Sequence, residues 1–559
     1  MSLGVSLSET RRSPLAWRPS TFLVFAALLG AGLALLPVLA LAYTALSPQA
    51  ASIWPHLAAN VLPAALADTS LLLLGVGALC AAIGVGSAWL VTQFEFPGRR
   101  GLEWLLVLPL ALPTYITAYV YVEILGFQGP FQTALRALTG WRSLRDYWFP
   151  DPRNLPGAIF IMALVLYPYV YLSVRALFGL QAAAIVESAR TLGASPSRLF
   201  WRVGLPMARP ALAAGLTLAL LETLNDIGAS EYLGVRSLTL SIYTTWVNRN
   251  SLAGAAQIAC VMLLLVVLLM AVEAHLRGQR RFALPVRQPR AVGRSPLAGW
   301  RAVAAVTLCA LPVLLGAVLP IGFLAAEVLQ RDLWQQFDGA MLRSLANALA
   351  FAGLAAGLVV LLGIGIAAAR RQGREPWLPA LSRLAGLGYA VPGTVLALGL
   401  LVPLAAFDNL VADAARRWLG VNPGLLLIGS GAALVLAYLV RFLAIAVSGV
   451  ESGLSRISPR IDDAARTLGA SAPQVMRKMH WPLARPAVAA AALLVFVDCL
   501  KELPATLLLR PLNVETLATT VYGHASRGAF EDGALAGLLI VLAGLYPAYR
   551  LARAGGRAG

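Results

Sequence analysis

Four carboxylates and one amine stand inside otherwise apolar sequence. They are Glu222 and Asp226 in Glu-Thr-Leu-Asn-Asp, and Asp498, Lys501 and Glu502 in Asp-Cys-Leu-Lys-Glu. Both acidic pairs are spaced i, i+4, which on a continuous helix sets the two carboxylates on one face. Carboxylate oxygens are hard ligands suited to hard cations, trivalent metals included. One reading is a ring of up to four carboxylates lining a pathway or its outer gate, with Lys501 neutralising part of the charge. The competing reading is structural, with ion pairs and interfacial side chains holding two helices together. Charge in such surroundings is costly and faces a cavity or a partner. Other chemistries find no support. The chain has no GxxxxGK[ST] loop for nucleotide phosphates, no HExxH and no GxSxG. His56, His275, His480 and His524 are scattered without metal-ligand spacing. Cys80, Cys260, Cys309 and Cys499 lie in apolar stretches without a CxxC and read as small residues packed in helices. No metal ligand set is assigned and no cofactor is expected on the chain.

The elements that must position these residues are membrane spans. Of 559 residues, 59% are hydrophobic and only 13% charged, with a mean hydropathy of +0.75. Soluble domains are roughly 25% charged, so the chain is an integral membrane protein and its surroundings are a lipid bilayer. The net charge of +18 would suit nucleic acid, but the basic residues fall in short loops between apolar stretches, and that partner is rejected. Stretches of about 20 apolar residues predict spans near 22–45, 69–92, 103–126, 156–179, 207–229 and 254–275. A second set is predicted near 302–327, 344–369, 381–405, 424–448, 485–508 and 533–552.

Six spans follow six because the chain is duplicated. Ala189-Arg-Thr-Leu-Gly-Ala-Ser195 returns as Ala465-Arg-Thr-Leu-Gly-Ala-Ser471, and Ala208-Arg-Pro-Ala211 as Ala484-Arg-Pro-Ala487. The same offset pairs Glu222 with Asp498 and Asp226 with Glu502. A first repeat over 1–290 and a second over 291–559 are expected, parallel because each has an even number of spans. Arg11, Arg12, Arg18, Arg99, Arg100, the linker Arg277–Arg294, Arg370, Arg371, Arg374, Arg456–Lys478 and Arg550–Arg557 all fall on one side if both termini are cytoplasmic. The basic loop 127–155 is the exception and is expected outside, as a small ordered cap. Pro113 and Pro392, in Leu-Pro-Thr-Tyr and Val-Pro-Gly-Thr, fall inside predicted spans and are expected to kink them as pathway hinges or packing bends.

The repeated polar segment predicts an elbow. Glu187–Leu192 forms a short helix, Gly193 permits a sharp bend, and Ser195-Pro196 starts a second helix that ends at Leu205-Pro206. Asp463, Gly469, Ser471, Pro473 and Pro482 repeat the plan. Glu187-Ser-Ala189-x-x-x-Gly193, followed after nine residues by Val-x-Leu205-Pro206, resembles the EAA–Gly–LP loop of ATP-binding-cassette importer permeases. Asp463-Ala464-Ala465-x-x-x-Gly469, then Met-x-Trp481-Pro482, resembles it again, with Asp463 for Glu, Ser188 for Ala and Trp481 for Leu. The stretch Asp498–Pro511 resembles the second-half signature of fused ferric-iron importer permeases, and the likeness covers nearly the whole chain.

That resemblance implies an all-α polytopic fold, the type I importer permease, with about 12 transmembrane helices. It implies two coupling loops, 187–206 and 463–482, docking two copies of a cytoplasmic ATPase that uses ATP and Mg. It also implies a periplasmic binding protein delivering ferric iron and a bacterial inner-membrane location. The chain itself is expected to be no enzyme. Thiamine, polyamine, sulfate or phosphonate are alternative cargoes. A proton-coupled secondary transporter and a membrane-embedded enzyme are the competing classes; the first leaves the duplicated elbow unexplained, and the lack of HExxH, GxSxG or clustered histidines argues against the second.

Overall fold

The computed structural model describes residues 21–143, 145–180, 191, 195–277, 294–373 and 375–556. Arg11, Arg12, Arg18, Arg280, Arg281, Pro285, Arg287, Pro289, Arg290, Arg374 and Arg557 lie outside them, as do the first elbow's Glu187, Ala189 and Gly193.

Among the described residues, eleven helices are long and apolar enough to cross a membrane. A bent pair, Arg99–Ala111 and Thr114–Thr139 meeting at 94°, brings the number up to twelve. Within the bilayer every backbone N–H and C=O must be bonded internally, which leaves helix as the default for apolar sequence of this length. The one strand pairing among the described residues is short and parallel, Phe94 against Ser295 and Glu95 against Pro296.

Several predicted boundaries move. Residues 48–68 are helical, continuous with the span that follows as Pro48–Gln93. Ser47 accepts the Ala50 N–H and Pro48 opens the helix, so a start signal sits where a loop was expected. The ninth span runs over Gly393–Leu419 and the tenth over Ala432–Ser455, each later than expected. Neither Pro113 nor Pro392 kinks a continuous helix. Each stands at the N-cap of a new one, Thr114–Leu125 or Gly393–Leu419, directly after a short 3₁₀ turn. The missing N–H costs nothing there, because the first turn has no internal acceptor to offer it. The loop 127–155 carries a short helix of its own. Its helix Pro130–Thr139 ends on left-handed Gly140, and Arg136 donates to the Phe127 carbonyl at 2.8 Å and the Tyr147 hydroxyl at 3.2 Å.

The chain forms two compact units, each drawing on both sequence repeats. One holds Met1–Ala40, Leu349–Cys499 and Leu509–Pro511. The other holds Leu41–Ala348, Leu500–Leu508 and Leu512–Gly559. In the first, Ala27, Ile366, Ala369, Leu378, Ala385, Leu443 and Val447 form a buried apolar cluster. Small residues let helices touch backbone to backbone. A Cβ on Gly363 would lie 2.8 Å from the Ala446 Cβ and 3.2 Å from the Val447 nitrogen. In the second unit, Gly84 stands in the same relation to Val170 and Tyr171, at 2.7 and 2.9 Å. None of the four cysteines forms a disulfide, and all but Cys260 are buried.

Candidate functional site

The acidic segments are helix breaks. The helix Leu205–Asn225 stops at Asp226, whose backbone is extended (φ −80°, ψ 108°). A five-residue helix, Gly228–Tyr232, follows. The Asp226 carboxylate accepts the Ala229 N–H at 2.8 Å and the Thr114 hydroxyl, while Ser230 donates its hydroxyl to the Asp226 carbonyl at 2.8 Å. The helix Trp481–Lys501 likewise stops before Glu502. That carboxylate accepts the Ala505 N–H at 3.1 Å, the Thr506 N–H at 3.2 Å and lies 3.2 Å from the Thr506 hydroxyl. Asp226 and Glu502 are 7% and 5% exposed.

Each helix stops one residue short of the second carboxylate, at Asn225 before Asp226 and at Lys501 before Glu502. The physical reason is the unpaired N–H groups of the short helices that follow. In an apolar setting each costs several kcal/mol, and a carboxylate placed just ahead of them is an N-cap. Glu222, Asp498 and Lys501 sit on the preceding helices and are half-buried. Glu222, Asp226, Lys501 and Glu502 belong to one compact unit and Asp498 to the other. No group of three or more His, Cys, Asp or Glu among the described residues could hold a metal ion.

The two breaks inside the larger unit meet directly. A Cβ on Gly228 would lie 2.8 Å from Tyr115 Cβ, 2.9 Å from Leu503 Cδ2 and 3.1 Å from the Tyr119 hydroxyl. The Tyr115 hydroxyl is buried with no hydrogen-bond partner among the described residues. Tyr119 packs edge-on to Tyr232 at 4.5 Å between ring centroids. Sequence reasoning passes over these tyrosines; the signal was two Tyr four apart just after Pro113.

The second elbow is complete in the structure. Ser458 caps the helix Pro459–Thr467. Gly469 then takes a left-handed conformation, φ 75°. Ser471 and Gln474 form a reciprocal capping box at the next helix, with the Ser471 N–H donating to Gln474 Oε1 at 2.9 Å. Ala465 is buried, Asp463 half-buried and Ala464 exposed, and Leu468 at the tip is 86% exposed. In the first copy Ser195 caps Pro196–Leu199 as expected, accepting the Arg198 N–H at 3.3 Å.

Leu205-Pro206 and Trp481-Pro482 do not end the second helix, contrary to expectation. The chain continues unbroken over Pro196–Asn225 and Ala472–Lys501. A wide π-turn absorbs each proline, Phe200–Gly204 or Met476–His480, closed by the Leu205 N–H on the Phe200 carbonyl and the Trp481 N–H on Met476. One extra residue in the turn reassigns the carbonyl that proline cannot bond.

A polar cluster at the second elbow escaped sequence reasoning. His480 Nε2 lies 2.6 Å from Asp462 Oδ1, and Arg371 Nε donates to Asp462 Oδ2 at 3.1 Å. Burial raises the Asp462 pKa, but the His480 hydrogen bond and the Arg371 charge outweigh it and hold the carboxyl below its usual range.

The whole chain has known relatives. Residues 78–281 and 359–554 each match the model of the binding-protein-dependent transport system inner membrane component. An Fe(3+)-transport system permease protein of Haemophilus influenzae is 24% identical over 490 residues, 87% of this chain and 89% of that one. A probable ABC transporter permease protein of Sinorhizobium fredii is 25% identical over 491 residues, 82% of this chain and 81% of that one. The sulfate transport system permease protein of Escherichia coli is 33% identical over 161 residues, 28% of this chain and 52% of that one.

Proposed function

Because the chain belongs to the binding-protein-dependent transport inner membrane component family and is the permease of an ATP-binding-cassette importer, with the type I fold, we propose that it carries ferric iron. The observation that supports this cargo is the length of the likeness. The Fe(3+) permease aligns through both repeats, over 87% of this chain, whereas the sulfate permease aligns with 28%. Both termini and both elbows face the cytoplasm of a bacterial cell, consistent with the arginine distribution. A periplasmic binding protein delivers iron at the opposite face.

Each elbow docks one of two ATPase subunits, which bind and hydrolyse ATP with Mg; this chain holds neither. The exposed Leu468 beside left-handed Gly469 is the kind of apolar tip that a partner groove covers. Closure of the ATPases draws the elbows together, and the membrane helices alternate between outward-open and inward-open states. Glu222, Asp498 and Lys501, half-buried on the preceding helices, line the pathway or its gate. Asp226 and Glu502 hold the helix breaks, and Pro113 and Pro392 are hinge points at the starts of their helices.

The test is uptake into proteoliposomes holding the complete importer. ATP-driven uptake of ferric iron with its binding protein is the expected result. Uptake of sulfate or thiamine, and not of iron, would overturn the cargo.

A further inference from the structure

Gly469 gives the second elbow a free bend. Its backbone is left-handed and a Cβ there would meet nothing within 4 Å. A bend of that kind loses motion rather than passing it on, unless something braces it. The brace is the polar cluster. Asp462 lies on the helix before the bend, and His480 in the π-turn at the root of the span after it, 18 residues apart. Arg371, at the end of the span Gly339–Gln372, bonds Asp462 and also donates to the Leu454 carbonyl at 2.6 Å and the Ile457 carbonyl at 3.1 Å. The cluster is well shielded: the side chains of His480, Arg371 and Asp462 are 2%, 13% and 18% exposed. At such depth removal of one partner leaves an uncompensated charge, so the cluster holds together as a unit.

The first repeat lacks these residues. At the repeat offset His480 corresponds to Gly204 and Asp462 to Val186. A Cβ on Gly204 would lie 2.7 Å from the Trp89 ring, and Trp89 also packs edge-on to Phe178 and Phe200 at 5.3 and 5.2 Å. Gly84 and Gly363 make equivalent close approaches, so Ala368 stands where Trp89 does, five residues further along. The large Trp89 meets Gly204 in the first repeat, where the second repeat has the small Ala368 and His480 at the corresponding positions. Each repeat thus fixes the root of its span by a different means.

We propose that Arg371, Asp462 and His480 are positioning residues that lock the second elbow to its span as one rigid lever, and that the first repeat fixes its span root by aromatic packing on Gly204 instead. The proposal rests on the reading of the elbows as ATPase-coupling segments. Its test uses the complete importer in proteoliposomes and reads iron carried per ATP hydrolysed, with ATPase docking measured alongside. His480→Gln lowers that ratio about tenfold, within the usual range of coupling free energies, while ATPase docking and hydrolysis persist. The double variant Asp462→Cys with His480→Cys loses the ratio in the same way, and a short bis-maleimide cross-link, to which each thiol adds, restores it in the same sample. An unchanged ratio in either variant, or a bridge that restores nothing, overturns the lever. Gly469→Arg is the parallel control for the underlying reading. If it docks the ATPase and transports normally, the coupling role of the elbow fails. If it uncouples while His480→Gln does not, only the lever fails.

Discussion

Gly469 isolates one physical term. Its φ of 75° lies in the left-handed region, where an L-residue pays roughly 1–2 kcal/mol. A Cβ there touches nothing within 4 Å, so Gly469→Ala introduces backbone strain and no clash within the chain. By the Boltzmann relation that strain lowers the population of correctly bent elbow by roughly 5- to 30-fold. Asparagine tolerates the left-handed region better than alanine, and a β-branched residue tolerates it worst. The affinity of the purified permease for its ATPase subunit is therefore expected to fall in the order Gly, Asn, Ala, Val. Titration of the ATPase against permease in nanodiscs measures it, with iron transport by the same preparations as the functional readout. Equal affinities across the series would refute the argument, and so would Gly469→Val binding as well as Gly469→Asn. Either result would mean that the left-handed bend is not the form the partner recognises.

Three further outcomes follow from the structure. Asp226→Ala and Glu502→Ala each uncap a short buried helix and are expected to cost about 0.5–2 kcal/mol of stability, read as a lower Tm in detergent. Glu222→Gln and Asp498→Asn, which remove charge from half-buried positions on the preceding helices, are expected to reduce transport with a smaller change in Tm than the uncapping variants. The reverse pattern would exchange the structural and pathway roles. Asp462 has a folded pKa below its unfolded value. The stability it contributes is present above the ordinary carboxylate value of about 4 and is lost as pH falls through the lower folded value. Thermal unfolding of the native protein should weaken across that acid window more steeply than that of Asp462→Asn, and parallel curves would count against the cluster.

What the sequence by itself determined is what local pattern encodes. Long apolar stretches set the membrane class and the number of spans, because a bilayer selects on length and hydropathy alone. The 276-residue offset exposed the duplication and both elbows. Ser195, Gly469 and Ser471 announced their caps and bend, since a cap bonds to backbone three residues away. The tertiary structure decided whatever depends on distant partners. Asp226 looks like one more helical residue until the helix ends at Asn225, a choice completed by Thr114 from 112 residues away. Pro113 and Pro392 look like kinks until the preceding turns release their helices to start anew. His480 is one scattered histidine until Asp462 and Arg371 converge on one site, the latter from 91 residues before Asp462. No short-range pattern carries such pairings, because burial and charge compensation are settled only when separate helices pack.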